Sequence, residues 1–190
     1  MPLRCEPRRG ASAFRMIEKI SAHQAIDPLV DHVRGPEAAP LLLEYGDYEC
    51  PYSRRAFREI ERVERRVETG VRFVFRHFPL TEIHPHALAA AAAAEAAASQ
   101  DRFWEMHEAL FHGQNALEDE DLRRYAGDLG LDAERFDSDR TSEAVRARIR
   151  RDVESGGDSG EVQGTPTLFV NGSVYRGPYD AATLVEVLSR

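Results

Sequence analysis

Leu41-Leu42-Leu43-Glu44-Tyr45-Gly46-Asp47-Tyr48-Glu49-Cys50-Pro51-Tyr52-Ser53 decides how the chain is read. Residues 41–45 are apolar apart from Glu44, as in a strand covered on both faces. From Ser53 to about residue 68, Phe57, Ile60, Val63 and Val67 recur at helical spacing among arginines and glutamates. Cys50 therefore stands at a strand-to-helix junction. A helix start carries partial positive charge and unpaired N–H groups, which favour a thiolate over a thiol. Serine occupies position 53, where a C-x-x-C pair would have its second cysteine.

Downstream, Gly70 ends the helix and residues 71–78 are β-branched and aromatic, a second central strand. Strand, helix and strand make a βαβ unit with a parallel pair. The pattern then turns helical. Residues 85–98 are alanine-rich, and 101–112 carry the bulky side chains Phe103, Trp104, Met106, Leu110 and Phe111. Further helices are expected at 119–129, briefly at 132–136, and from Thr141 with Thr141 or Ser142 as its cap. Gly156, Gly157 and Gly160 weaken the end of that last helix. A strand at 167–170, the Asn171-Gly172 turn, a partner strand at 173–176 and a helix at 181–188 close the chain. Upstream, 31–40 reads as connector, 14–26 as a helix, and 1–13 as a Pro, Arg and Gly-rich disordered tail.

At 190 residues the chain fits one domain with room for an insertion. With 42% hydrophobic and 31% charged residues it reads as a soluble globule. A net charge of −8 argues against a general nucleic-acid binder. No apolar run is long enough for a membrane span, and no signal-peptide core is seen. Two cysteines, Cys5 and Cys50, make no disulfide framework, so the expected compartment is a reducing cytoplasm. A chain whose leader had been removed would look the same.

The order β-α-β, helical block, β-β-α resembles the thioredoxin fold with a helical insertion, and more narrowly the DsbA-like group. The resemblance rests on residues 44–52, on Phe75-Arg76-His77-Phe78-Pro79-Leu80, on His84-Pro85-His86-Ala87, on Phe103-Trp104-Glu105-Met106-His107, and on residues 164–172 beginning Gly164-Thr165-Pro166-Thr167. Similar stretches occur in thioredoxin-like domains attached to sodium/proton antiporters. The implied architecture is α/β with a mixed central sheet. Its core is 31–80 plus 160–190, its helical insertion 81–159, and its N-terminal tail, partly disordered or a short helix, 1–30.

The implied activity is that of a thiol–disulfide oxidoreductase acting on protein or peptide disulfides. It needs no dissociable cofactor, and glutathione is a candidate co-substrate. Cys50 is the expected nucleophile, forming mixed disulfides. Ser53 is expected to donate a hydrogen bond to the Cys50 thiolate, and it cannot resolve a mixed disulfide. The motif fits either native monothiol chemistry completed by an external thiol or a dithiol protein whose second cysteine has been replaced. Glu44 is read either as a solvent-facing residue or as a buried carboxyl that relays the Cys50 proton, the second being what the resemblance supports. Pro51, Tyr52, Thr165 and Pro166 are the implied substrate-binding residues, with Pro166 cis and the Thr165 backbone free to pair with an extended peptide.

The seven histidines raise a metal reading, which the spacing disfavours. His84 and His86 flank a proline, and His107 and His112 lie about 140° apart around a helix. No metal site is expected; core hydrogen bonds and helix capping are. Two other classes stay open: a glutathione-dependent transferase or isomerase of the same fold, and a redox-inert peptide-binding module or chaperone. The first predicts activity without Cys50; the second predicts an ordinary thiol. Direction of reaction, substrates and oligomeric state are not legible.

Overall fold

The computed structural model describes residues 25–190. The tail expected at 1–13, and the helix expected from Phe14 up to residue 24, lie outside the described residues. Twelve elements follow in chain order: β1 (His32–Arg34), β2 (Leu41–Gly46), α1 (Pro51–Glu64), β3 (Arg72–His77), α2 (Ala87–Ala98), α3 (Phe103–His112), α4 (Asp119–Asp128), α5 (Ala133–Asp139), α6 (Glu143–Ser159), β4 (Thr167–Val170), β5 (Ser173–Tyr175) and α7 (Ala181–Leu188). The five strands form one mixed sheet in the order β1-β3-β2-β4-β5. Only β2 and β3 pair in parallel; the other neighbours are antiparallel. This is a thioredoxin fold with five helices between β3 and β4.

Four local readings are corrected. Residues 31–40 hold an edge strand, β1, which at three residues is too short to leave a periodic signal. Helix α1 stops at Glu64, short of 68, because the chain turns at Arg65 before Val67 folds back into the core. Helix α6 continues through Gly156 and Gly157 and ends on Gly160 in the left-handed region, φ 69°. A Cβ at Gly156 would stand 2.9 Å from the Phe78 ring, so this glycine lets α6 approach the sheet. The strand after the hairpin ends at Tyr175 rather than 176.

The alternation of β2 sorts its side chains. Leu42 joins a large core with Phe57, Ile60, Phe73, Phe75, Leu168 and the helices. Leu43 and Tyr45 join a smaller cluster with Val74, Val162 and Phe169 on the other face. Burying each large side chain is worth about 1.5–3 kcal/mol. Helix α2 is wrapped on all sides: Ala90, Ala91, Ala93, Ala94, Ala96 and Ala97 are each buried. Methyl-sized side chains let α3, α5 and α6 close around it. Ser142, not Thr141, caps α6, accepting from the Val145 N–H at 3.2 Å.

Candidate active site

The C-terminal end of β2 delivers Cys50 to the head of α1. Cys50 is the N-cap residue, in extended backbone (φ −72°, ψ 120°), and Pro51 follows at the first helical position. Proline suits that place because its missing N–H would have no helical partner. The sulfur is more enclosed than a helix start predicts, since the residue is 3% exposed. Its thiol turns inward and donates to the Thr165 carbonyl at 3.3 Å, across 115 residues of chain. Cys50 is a free thiol. The Thr165–Pro166 peptide bond is cis.

Ser53 is fully buried one helical turn on. Its hydroxyl accepts from the Asp47 N–H at 3.3 Å. The hydroxyl oxygen is thus used as an acceptor for the loop, while the expected bond has Ser53 as donor to a thiolate. Tyr52, by contrast, is 63% exposed, and Pro51 is exposed beside it. Thr165 is partly buried; its carbonyl is engaged by the thiol, and its hydroxyl oxygen is buried without a hydrogen-bond partner.

Glu44 lies inside the sheet on the Leu42 face, paired with Phe75 on β3 and Leu168 on β4. It is buried, and neither carboxyl oxygen has a hydrogen-bond partner. The solvent-facing alternative is excluded. Burial pushes its pKa up to about 8, against a weaker downward pull from Arg34. The group is therefore neutral through most of the physiological range.

A testable consequence concerns stability. The folded-state pKa is raised above the ordinary value of about 4.3. Its contribution is intact below that value and is lost as pH rises toward 8. At pH 7 the loss is roughly 3–4 kcal/mol. Glu44→Gln is expected to recover about that amount at pH 7, to differ little at pH 4, and to flatten the slope between. Urea unfolding across this pH series measures it; parallel slopes for both proteins would disprove the assignment.

Around the thiol, side chains distant in sequence grip the loop. The buried Asp47 carboxylate accepts from the Glu49 N–H (2.8 Å), the Leu80 N–H (2.9 Å) and His84 Nδ1 (2.8 Å). Glu49 accepts from the His86 N–H and Nδ1. Its hydrogen bond to Glu49 raises the His86 pKa. Gln114 Nε2 donates to the Tyr48 and Cys50 carbonyls at 2.7 and 2.8 Å. Beneath them Tyr48 Oη and His107 Nδ1 pair at 3.1 Å, and burial drives the His107 pKa well down and the Tyr48 pKa well up. Both are neutral. Gln114 was not singled out from sequence, and Asp47 and His84 were read only as parts of the stretches that carry the resemblance and, for His84, in the metal reading, not as clamps of this turn. The one local signal was an acidic residue three positions before the cysteine.

Two clefts flank this site. One of about 400 Å³ is lined by Thr165, Pro166, Tyr175, Arg176 and Tyr179. The other, of about 470 Å³, is lined by Glu49, Pro51, His86, Gln114 and Glu118. A larger hollow of about 550 Å³ lies near the start of β2 between Pro40, Arg66 and Leu188, and holds no thiol.

Among the described histidines, His77 and His107 are buried, His84 and His86 pair with carboxylates of the turn before Cys50, and His112 is exposed. His77 and His32 both reach Glu95 Oε1, at 2.8 and 2.7 Å, and the ligand-type atoms of the three lie within 4.8 Å of one another. Burial works against the Glu95 charge, yet the two imidazoles hold its pKa well down. The cluster brings in His32, which the sequence reading did not include, and leaves out His84, His86, His107 and His112. Arg148 Nε stands 3.9 Å from the same oxygen. In this structure both imidazole Nε2 atoms are engaged with that one carboxylate oxygen.

A cysteine at the N-terminus of a helix, beside a cis-proline loop at the end of the neighbouring strand of a mixed sheet, is the arrangement of the thioredoxin class. The thioredoxin family model matches residues 29–190, and the chain belongs to that family. It is 49% identical over 166 residues to a Na(+)/H(+) antiporter NhaA 1 of Mycolicibacterium gilvum, covering 86% of this chain and 27% of that protein. The chain thus spans about a quarter of the curated relative's length. Among solved structures, a thioredoxin-like oxidoreductase from Silicibacter pomeroyi is 30% identical with a TM-score of 0.75, covering 86% of this chain and 92% of that one. The thiol–disulfide exchange protein alpha-DsbA2 from Wolbachia pipientis shares the fold at 21% identity and a TM-score of 0.73, over 85% and 87% of the two chains. No helix among the described residues is long and apolar enough to cross a membrane.

Proposed function

We propose that the chain carries out thiol–disulfide exchange through Cys50, with disulfide-bearing proteins or peptides as substrates. The observation that carries this is the Cys50 sulfur held 3.3 Å from the Thr165 carbonyl at the start of α1. In the reaction, the Cys50 thiolate attacks one sulfur of a substrate disulfide. A Cys50–substrate disulfide forms, and the second sulfur leaves as a thiolate with the bonding electron pair. An incoming extended peptide takes over the Thr165 carbonyl from the thiol, using the backbone as a strand partner. The exposed Pro51 and Tyr52 and the cleft beside Pro166 flank its path. Glu44, neutral and buried on the core face of the sheet, serves as the proton reservoir for thiol and leaving thiolate.

Ser53 has no thiol to finish the cycle. An external thiol of the glutathione type then attacks the mixed disulfide, releasing Cys50 and carrying the substrate sulfur away in a new disulfide. The reading is tested by incubating the protein with a peptide disulfide and with glutathione disulfide. Intact mass is expected to report a single adduct on Cys50, lost in Cys50→Ala and reversed by added thiol. Alkylation of Cys50 at pH 6 is expected to run well ahead of free cysteine. An ordinary rate with no adduct would refute the proposal and favour a redox-inert module.

A further inference from the structure

The turn before Cys50 carries a knot of hydrogen bonds that the exchange step itself does not consume. The Asp47 side chain is fully buried. A carboxylate only accepts, so His84 Nδ1 donates to it, as do the backbone N–H groups of Glu49 and Leu80. The same residue's backbone N–H donates to Ser53 Oγ, and its carbonyl accepts from the Cys50 N–H at 3.1 Å. One residue thus joins the end of β2, the turn at 47–50, the first turn of α1 and the loop after β3. Of the three donors to its carboxylate, His84 alone is a side chain.

We propose that His84, acting through the Asp47 carboxylate, is a positioning residue for Cys50. This rests on the exchange reading above. The tie does two things. It fixes the turn that aims the sulfur at Thr165. It also directs a donor proton at a buried negative charge three residues from a sulfur that must itself become negative. Gln114 grips the same turn from the helical segment through the Tyr48 and Cys50 carbonyls, so the loop is held from two sides. Exposure separates His84 from its neighbour: the His84 side chain is 16% exposed and the His86 side chain 36%. The His86–Glu49 pair is accordingly the more screened of the two.

The test is Cys50 alkylation by iodoacetamide across pH, with unfolding midpoints measured for each protein. His84→Ala is expected to lower the rate at pH 7 roughly tenfold, the size of one lost hydrogen bond to a charged group. His84→Asn puts an amide N–H where Nδ1 was and is expected to recover the rate to within about twofold. His84→Gln puts its nitrogen where Nε2 was and is expected to stay slow. Should the alanine protein not fold, the comparison of Asn with Gln decides. Native rates in the alanine and glutamine proteins, or an asparagine protein as slow as the glutamine one, would overturn the role of His84. A native thiol no faster than free cysteine would instead overturn the exchange reading, so the two failures are distinct.

Discussion

Ser53→Cys is expected to turn a thiol that can be trapped into one that turns over. The position is buried one turn after Cys50 on α1. Residues three apart on a helix face one another, with Cβ atoms about 5–6 Å apart. An introduced thiol is therefore within reach of a mixed disulfide on Cys50 after modest adjustment. The substitution costs the acceptor for the Asp47 N–H, a long bond at 3.3 Å, worth about 1 kcal/mol or less. Resolution from inside the motif replaces a bimolecular step. The turnover of a disulfide substrate with an external reductant is expected to rise roughly a hundredfold or more. The lifetime of the Cys50 adduct should fall in parallel. An adduct equally long-lived in both proteins would show that the introduced thiol cannot reach it.

The second large effect concerns stability. Arg76, buried on β3, makes two parallel bonds to Asp31, with Nε and Nη2 each 2.9 Å from its carboxyl oxygens. It also donates to the Tyr45 hydroxyl at 3.0 Å and the Ala25 carbonyl at 2.9 Å. Arg76→Met leaves Asp31 buried without this partner, and a loss of about 3–5 kcal/mol is expected by urea unfolding. Arg76→Lys should not rescue it, because an ammonium cannot make the paired bonds. The double variant Arg76→Met with Asp31→Ala should cost less than the sum of the singles. Burial would raise the Asp31 pKa, but the hydrogen bond and charge of Arg76 prevail and hold it low. Its contribution is present above the ordinary value near 3.9 and is lost as pH falls through the lowered one. The Arg76→Met protein should lose this acid sensitivity; an unchanged acid transition would count against the pair.

The sheet and α1 were legible because strands and helices leave local periods. Leu41 to Tyr45 and Val71 to Phe78 announce buried strands, and Phe57, Ile60, Val63 the inner face of a helix. The thiol was legible because a strand, a cysteine and a helix start are adjacent in sequence. Glu44 was half legible: its position was visible, but its burial depends on Phe75 and Leu168, brought from two other strands. His84 and Gln114 were not legible as loop clamps, since their partners lie 37, 66 and 64 residues away. Edge strand β1 failed for a different reason, being three residues beside two turn signals. The serine at 53 was readable as chemistry but not as geometry, because its partner is a backbone N–H.

The bond between the Cys50 sulfur and the Thr165 carbonyl also has a meaning in time. Its two ends are 115 residues apart. At about 5–20 residues per second, a ribosome needs roughly 6–23 s to reach the second after making the first. For that interval the nascent chain carries a cysteine without the loop that later encloses it. Helices α2 to α6 emerge meanwhile and pack largely on one another, so the intervening segment can become compact before β4 docks on β2. The enclosed thiol is thus a late product of synthesis, and a chain stalled before Thr165 would present an open one.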